Sequence, residues 1–198
     1  MASTVDVFNL ALSHISAKAF VQSLIEESNE SKYCSANIDA AIEIVLEDHD
    51  WLFASAYEDL ALTGVDAESP WIYQYTYPSL CVKAREIVKD SDQEKDVPFK
   101  PDLNSSKGGK VIHTDKQDAR LRYTHLIKNI ALFSPKAVEA LSWKLASLIA
   151  IPLTGGNLKL KQNTETTYVN VLSAAKTSNF NENVNREAAE PSMISIRG

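Results

Sequence analysis

The sequence predicts an α+β fold, mainly a helical bundle with an inserted antiparallel β subdomain. Three observations carry this. Apolar residues recur every three or four positions toward both ends of the 198-residue chain, as on one face of an α-helix. Between them, from Phe53 to Leu126, the apolar period is nearer two, as in half-buried strands. The pair Ser134-Pro135 then marks a return to helix. Serine caps a helix N-terminus and proline is pre-set for its first turn. The division that follows is one domain over 1–178, with the bundle in 1–53 and 134–178 and the β-rich insertion in 54–133. An extended C-terminal arm covers 179–198.

Ser3 or Thr4 can cap a first helix reaching about Ala19, with Val5, Phe8, Leu12, Ile15 and Ala19 on one stripe. Residues 20–31 mix Ser23, Ser28, Asn29 and Ser31 with acids and read as a loop. A second helix is expected from about Ser35 to His49, with Ile38, Ala41, Ile42, Val45 and Leu46 inward. Trp51 and Phe53 follow it as candidate packing residues, placed where large rings lock a helix end onto a core. Ile72, Tyr73, Tyr75 and Tyr77 form an aromatic strand signal ended by Pro78, so Tyr75 and Tyr77 are further packing candidates. Val82 to Val88 is a second strand and Asn104 to Gly109 a turn. Val111 and Ile112 open a short strand, and Arg120 to Leu126 is the next, with Leu121, Tyr123 and His125 on one face.

After Ser134-Pro135, Val138, Leu141, Leu145, Leu148 and Ile149 form one apolar face. Ala137, Ala140, Trp143, Ala146 and Ala150 fill most of the remainder, so this helix is buried on several sides and Trp143 joins the packing candidates. Pro152 and Thr154-Gly155-Gly156-Asn157 end it. The last helix runs from about Leu158 to Lys176; Thr166, Thr167 and Val169 lower its propensity, so packing must support it. In the arm, Pro191, Met193, Ile194, Ile196 and Arg197 offer an apolar segment that can add as a strand to a partner's sheet edge. A frayed terminus is the other reading.

Composition excludes more than it assigns. The chain is 44% hydrophobic and 23% charged, enough for a packed core. No apolar run reaches the roughly 18–20 residues of a membrane span, so no membrane anchor is expected. The N-terminus lacks a basic stretch followed by an apolar core, and a cytosolic location is expected. Residues 1–70 hold two lysines against thirteen acids, a balance of −11. The remainder holds eighteen bases against thirteen acids, a balance of +5. A basic footprint for gripping nucleic acid is missing. Solvated helix faces account for the asymmetry; the functional alternative is a polarised subunit whose acidic part meets a basic neighbour or lines a DNA-repelling channel.

Chemistry is thin. Cys34 and Cys81 form no CxxC pair and read as buried thiols. Lys107-Gly108-Gly109-Lys110 lacks the spacing of a phosphate loop and reads as a lysine-flanked hairpin turn. Glu47-Asp48-His49-Asp50 gathers metal-ligating types, but neighbours on a helix end point in different directions. His113 and Asp115 share a face without a third ligand. No catalytic residue, cofactor or metal is expected.

The order of the boxes resembles the head-to-tail adaptor family of short-tailed phages, also described as tail tubular protein A or head completion proteins. The first box is Phe8-Asn9-Leu10-Ala11-Leu12-Ser13-His14-Ile15, where Ser16 stands at the usual glycine position. The second runs from Cys34 to Trp51-Leu52-Phe53-Ala54, and the third is Tyr73-Gln74-Tyr75-Thr76-Tyr77-Pro78 with Cys81. The fourth is Val111-Ile112-His113-Thr114-Asp115 leading to Leu121-Arg122-Tyr123. The last joins Phe133, Pro135 and Ala140-Leu141-Ser142-Trp143-Lys144-Leu145-Ala146 to Ile151-Pro152-Leu153-Thr154-Gly155. The resemblance covers roughly residues 5–175. It implies a virion structural protein of the tail and neck, assembled in the host cytoplasm and without catalytic residues. It further implies a homo-oligomeric ring of twelve copies beneath the portal protein, with bundles side by side. The β-rich part would face tail nozzle or fibre proteins, the arm would reach the portal, and DNA would pass without sequence recognition. Asp90 to Lys110 departs most from the family pattern.

Three rivals remain. One keeps the virion but makes the ring a stopper or tail terminator. Another is a soluble helical binding or regulatory protein. The third is a cell-wall or other hydrolase, for which no residue can be named.

Overall fold

The computed structural model describes residues 2–17, 19–90, 95–103 and 108–184, with backbone alone for 178–184. The elements are α1 (Thr4–His14), α2 (Asn29–Asp48), β1 (Ser55–Asp59), β2 (Tyr73–Thr76), β3 (Cys81–Ile87), β4 (Phe99–Leu103), β5 (Lys110–Thr114), β6 (Arg120–His125), α3 (Pro135–Leu153) and α4 (Leu158–Val184). The fold is α+β. A helical bundle carries two three-stranded antiparallel sheets inserted between α2 and α3, ordered β1-β6-β3 and β2-β5-β4.

Helix α3 is the centre of the bundle. It packs against α1, α2 and α4. Ala137, Ala140, Leu141, Leu145, Ala146, Ile149 and Ala150 are all buried. Ser134 caps it through Ala137 N, with Pro135 at its first position. From α4 it receives Thr164, Tyr168, Leu172 and Ala175, which recur at helical spacing. The β unit has its own small core. Tyr75 and Ile112 of one sheet meet Ile87, Leu121 and Tyr123 of the other. Among the described residues, no helix is long and apolar enough to cross a membrane.

Several boundaries differ from the sequence reading, each for a local reason. Helix α1 stops at His14 rather than near Ala19. Ser16 takes a left-handed φ of 55°. Ala17 N then reaches Leu12 O at 3.0 Å and Ser16 N reaches Ser13 O at 3.0 Å, which closes the helix C-terminus. Helix α2 begins at Asn29, six residues before the expected Ser35. Ser28 is its N-cap, accepting from Ser31 N, and Glu30 sits in the first turn. Ser28 is a cap signal in the sequence, but the polar residues around it read as loop. Strand β4 carries Pro101, which pairs only because β4 is a sheet edge. Helix α3 runs through Pro152 to Leu153. Helix α4 continues to Val184, so the expected start of the extended arm at 179 is helical. The rest of the arm, including Pro191, Met193, Ile194, Ile196 and Arg197, lies outside the described residues, as does most of the Asn104–Gly109 turn. Gly108 and Gly109 lead into β5, which pairs antiparallel with β4.

Candidate functional site

The chain leaves the bundle at 51–54 and returns at 130–134, and both crossings meet. Trp51 is buried, and its Nε1 donates to Val45 O at 2.7 Å, securing the last turn of α2. Its ring meets His49 edge-on at 4.8 Å and Phe53 at 5.6 Å. Phe53 in turn lies 4.9 Å from Phe133. Trp51 and Phe53 together join the end of α2 to Phe133 at the return crossing.

The polar half of this joint was missed by the sequence reading. Arg85, on β3, ends α2. Its Nη2 donates to Leu46 O at 3.2 Å, Glu47 O at 3.2 Å and His49 O at 2.6 Å, while its Nε donates to Thr124 Oγ1 at 2.8 Å. A guanidinium is suited to this, because the last carbonyls of a helix lack partners and carry partial negative charge. Arg122, on β6, donates from Nη1 to Asp50 Oδ2 and from Nε to Glu86 Oε1, both at 2.7 Å. Asp50 also lies 3.9 Å from Arg85. On the other side, Tyr168 Oη donates to Asp48 Oδ2 at 2.6 Å. Burial and the Asp48 carboxylate hold that phenol well above its ordinary pKa. The Glu47-Asp48-His49-Asp50 run thus binds two arginines and a tyrosine and makes the joint rigid. Among the described residues, no cluster of three metal-ligating side chains is present.

The other aromatic candidates also occupy packing positions. Tyr75 is buried between the sheets, its hydroxyl donating to Lys116 O at 3.0 Å. Tyr77 is half-buried beneath the Lys110 ammonium, and burial raises its pKa. Trp143 stacks on His14, with ring centroids 3.6 Å apart and planes 6° from parallel.

The His14–Ser142 pair is the nearest approach to nucleophile geometry, at 3.0 Å. Its hydrogen bonds run the wrong way. The Ser142 hydroxyl donates to Glu139 O at 2.8 Å, so it can only accept from His14 Nε2. A general base must instead take the serine proton, and Ser142 is buried. Burial lowers the His14 pKa, with Glu139 opposing. Cys34 is buried and its thiol is pushed up to about 12, chiefly by burial, so it is unreactive. His49 Nε2, His113 Nδ1 and His125 Nδ1 are buried without hydrogen-bond partners.

Between α3 and α4, Lys144 Nζ contacts Glu165 Oε1 at 2.8 Å and sits 4.9 Å from the Tyr168 ring centre. Burial opposes ionisation of Glu165, but the Lys144 and Ser147 hydrogen bonds outweigh it and lower its pKa. No family model matches this chain, and no curated protein does.

Proposed function

We propose that the chain is a structural protein of a tailed-phage virion, an adaptor whose copies form a ring joining the portal protein to the tail and continuing the DNA channel. The observation that carries the reading is where the boxes fall. In family order, Asn9, Trp51, Phe53, Tyr75, Phe133 and Trp143 each pin one segment of the chain to another. A sequence organised around joints suits a body that transmits contacts. The Arg85 and Arg122 joint adds to this by tying the β unit firmly to the bundle. The bundle would meet neighbouring copies and the β unit the tail nozzle or fibre proteins.

A reconstruction of the assembled particle tests the reading. Density for this chain as a ring between portal and tail is the expected result. Its absence from the neck would overturn the adaptor, and a position below the tail's first ring would favour a terminator.

A further inference from the structure

The end of the bundle away from the β unit exposes large apolar side chains in an ordered setting. Ile25 is 90% exposed, Leu158 66% and Phe20 56%, with Leu24 and Tyr33 also outward. The loop that presents Phe20, Leu24 and Ile25 is tied down. Asn9 Nδ2 donates to Val21 O at 2.9 Å, and Val21 N donates to Asn9 Oδ1 at 2.8 Å. Gln22 N donates to Glu26 Oε2 at 2.8 Å. Apolar residues held outward by a fixed backbone mark an interaction surface.

That end has two unlike walls, separated by a groove of about 650 Å³. Ile15, Ala17 and Glu30 line one side, and Leu153, Asn157 and Leu160 the other. The first wall is the α1–α2 loop together with the first turn of α2, and it carries Glu26, Glu27 and Glu30. The second is the end of α3, the turn after it and the start of α4, where Lys159 and Lys161 lie. From Gln162 to Ser173 the exposed α4 positions are Gln162, Asn163, Thr166, Val169, Asn170 and Ser173, all uncharged, and charge returns only at the exposed Lys176. The exposed Thr166 spends its hydroxyl proton within the helix, donating to Gln162 O at 2.9 Å. Glu165, the one acid in this stretch, is held by Lys144. Loss of charge from an exposed helix face is a compositional mark of an interface core.

We propose that these walls are the two halves of one contact between neighbouring copies: the loop 20–27 of one copy lies against the first half of α4 of the next. The proposal rests on the ring reading and names the surface that builds the ring. Charge complementarity selects a second copy, since the acidic wall of one chain meets the lysines of another. Both walls sit at the same end of the bundle. Copies rotated about an axis parallel to the bundle therefore bring them together without sliding. The two halves differ, so the contact is heterologous and repeats around a ring. The α4 half is small. Its stretch from Lys159 to Ser173 is about 22 Å long and roughly 10 Å wide, under a third of the ~800 Å² per partner of a stable pair. Free copies should therefore associate weakly, and ring closure supplies the rest.

The test is oxidative cross-linking of the full-length double variant Ile25→Cys/Leu158→Cys at high concentration, beside each single variant. Cys34 is buried and Cys81 half-buried, so neither competes readily. A ladder of dimer, trimer and larger species from the double variant alone is expected. Adding Lys159→Glu should reduce it about tenfold, and adding Glu27→Lys as well should restore it. No ladder, or dimers from either single variant as the main product, would overturn the contact. A chain found as a ring in particle necks but giving no ladder removes this contact and leaves the adaptor. A ladder from a chain missing from necks removes the adaptor and leaves the contact.

Discussion

Replacing Arg85 with alanine separates the β unit from the end of α2. The arginine serves two carbonyls of the last α2 turn, that of the C-cap residue His49 and the Thr124 hydroxyl, and lies beside Asp50. Its side chain is only 14% exposed, so water replaces few of these bonds. A hydrogen bond involving a charged group contributes about 1.5–3 kcal/mol, and only the His49 and Thr124 contacts are short. Water reaching the vacated carbonyls offsets part of the loss, which leaves a cost of about 3 kcal/mol. For a chain of this size that lowers Tm by roughly 6–12 °C. Arg85→Lys should recover less than half, because an ammonium cannot reach Thr124 and the α2 carbonyls together. Urea denaturation and calorimetry measure the cost. Hydrogen exchange should quicken in the last turn of α2 and in β3 before it does in α3. A loss under about 1 kcal/mol, or full rescue by lysine, would refute the view that this fork holds the joint.

Four further substitutions test contacts elsewhere in the bundle. Ser16→Gly should stabilise by about 0.5–1 kcal/mol, because φ of 55° costs serine what glycine does not pay; thermal denaturation reads it, and a loss would mean the serine side chain matters there. Burial lowers the pKa of both His14 and His49, so folding favours their neutral forms. Their contribution is complete above the unfolded value near 6.5 and falls as pH drops from there toward their lower folded values. His14→Phe should flatten part of that acid slope in denaturation at pH 7 and 5. The Lys144–Glu165 pair should respond unevenly. Lys144→Met leaves Glu165 close to water and should cost under about 1 kcal/mol. Glu165→Gln leaves the 11%-exposed ammonium short of a counter-charge and should cost about 2 kcal/mol.

The fold class was readable because patterning repeats over many residues. The period change at Phe53 and the Ser134-Pro135 start both survive in the structure. Helix ends were harder. Ser16 closes α1 without the glycine that usually announces such an end, and Ser28 caps α2 amid polar residues. The joint was illegible for a different reason. Arg85 lies 39 positions from Leu46 and Thr124, and nothing local in a strand says that its arginine ends a distant helix. The bundle-end surface was hidden in a stretch read as loop, since the sequence does not say that Asn9 pins Val21 and turns its neighbours outward.

Phe53 and Phe133 lie with ring centres 4.9 Å apart across an excursion of eighty residues. The bundle thus experiences the β unit as a loop whose two ends are already joined. A unit of another length or sequence could be grafted at this seam without moving α2 from α3, provided it supplies an arginine to the α2 terminus. The surface of the β unit can then diverge while the scaffold beneath it stays the same.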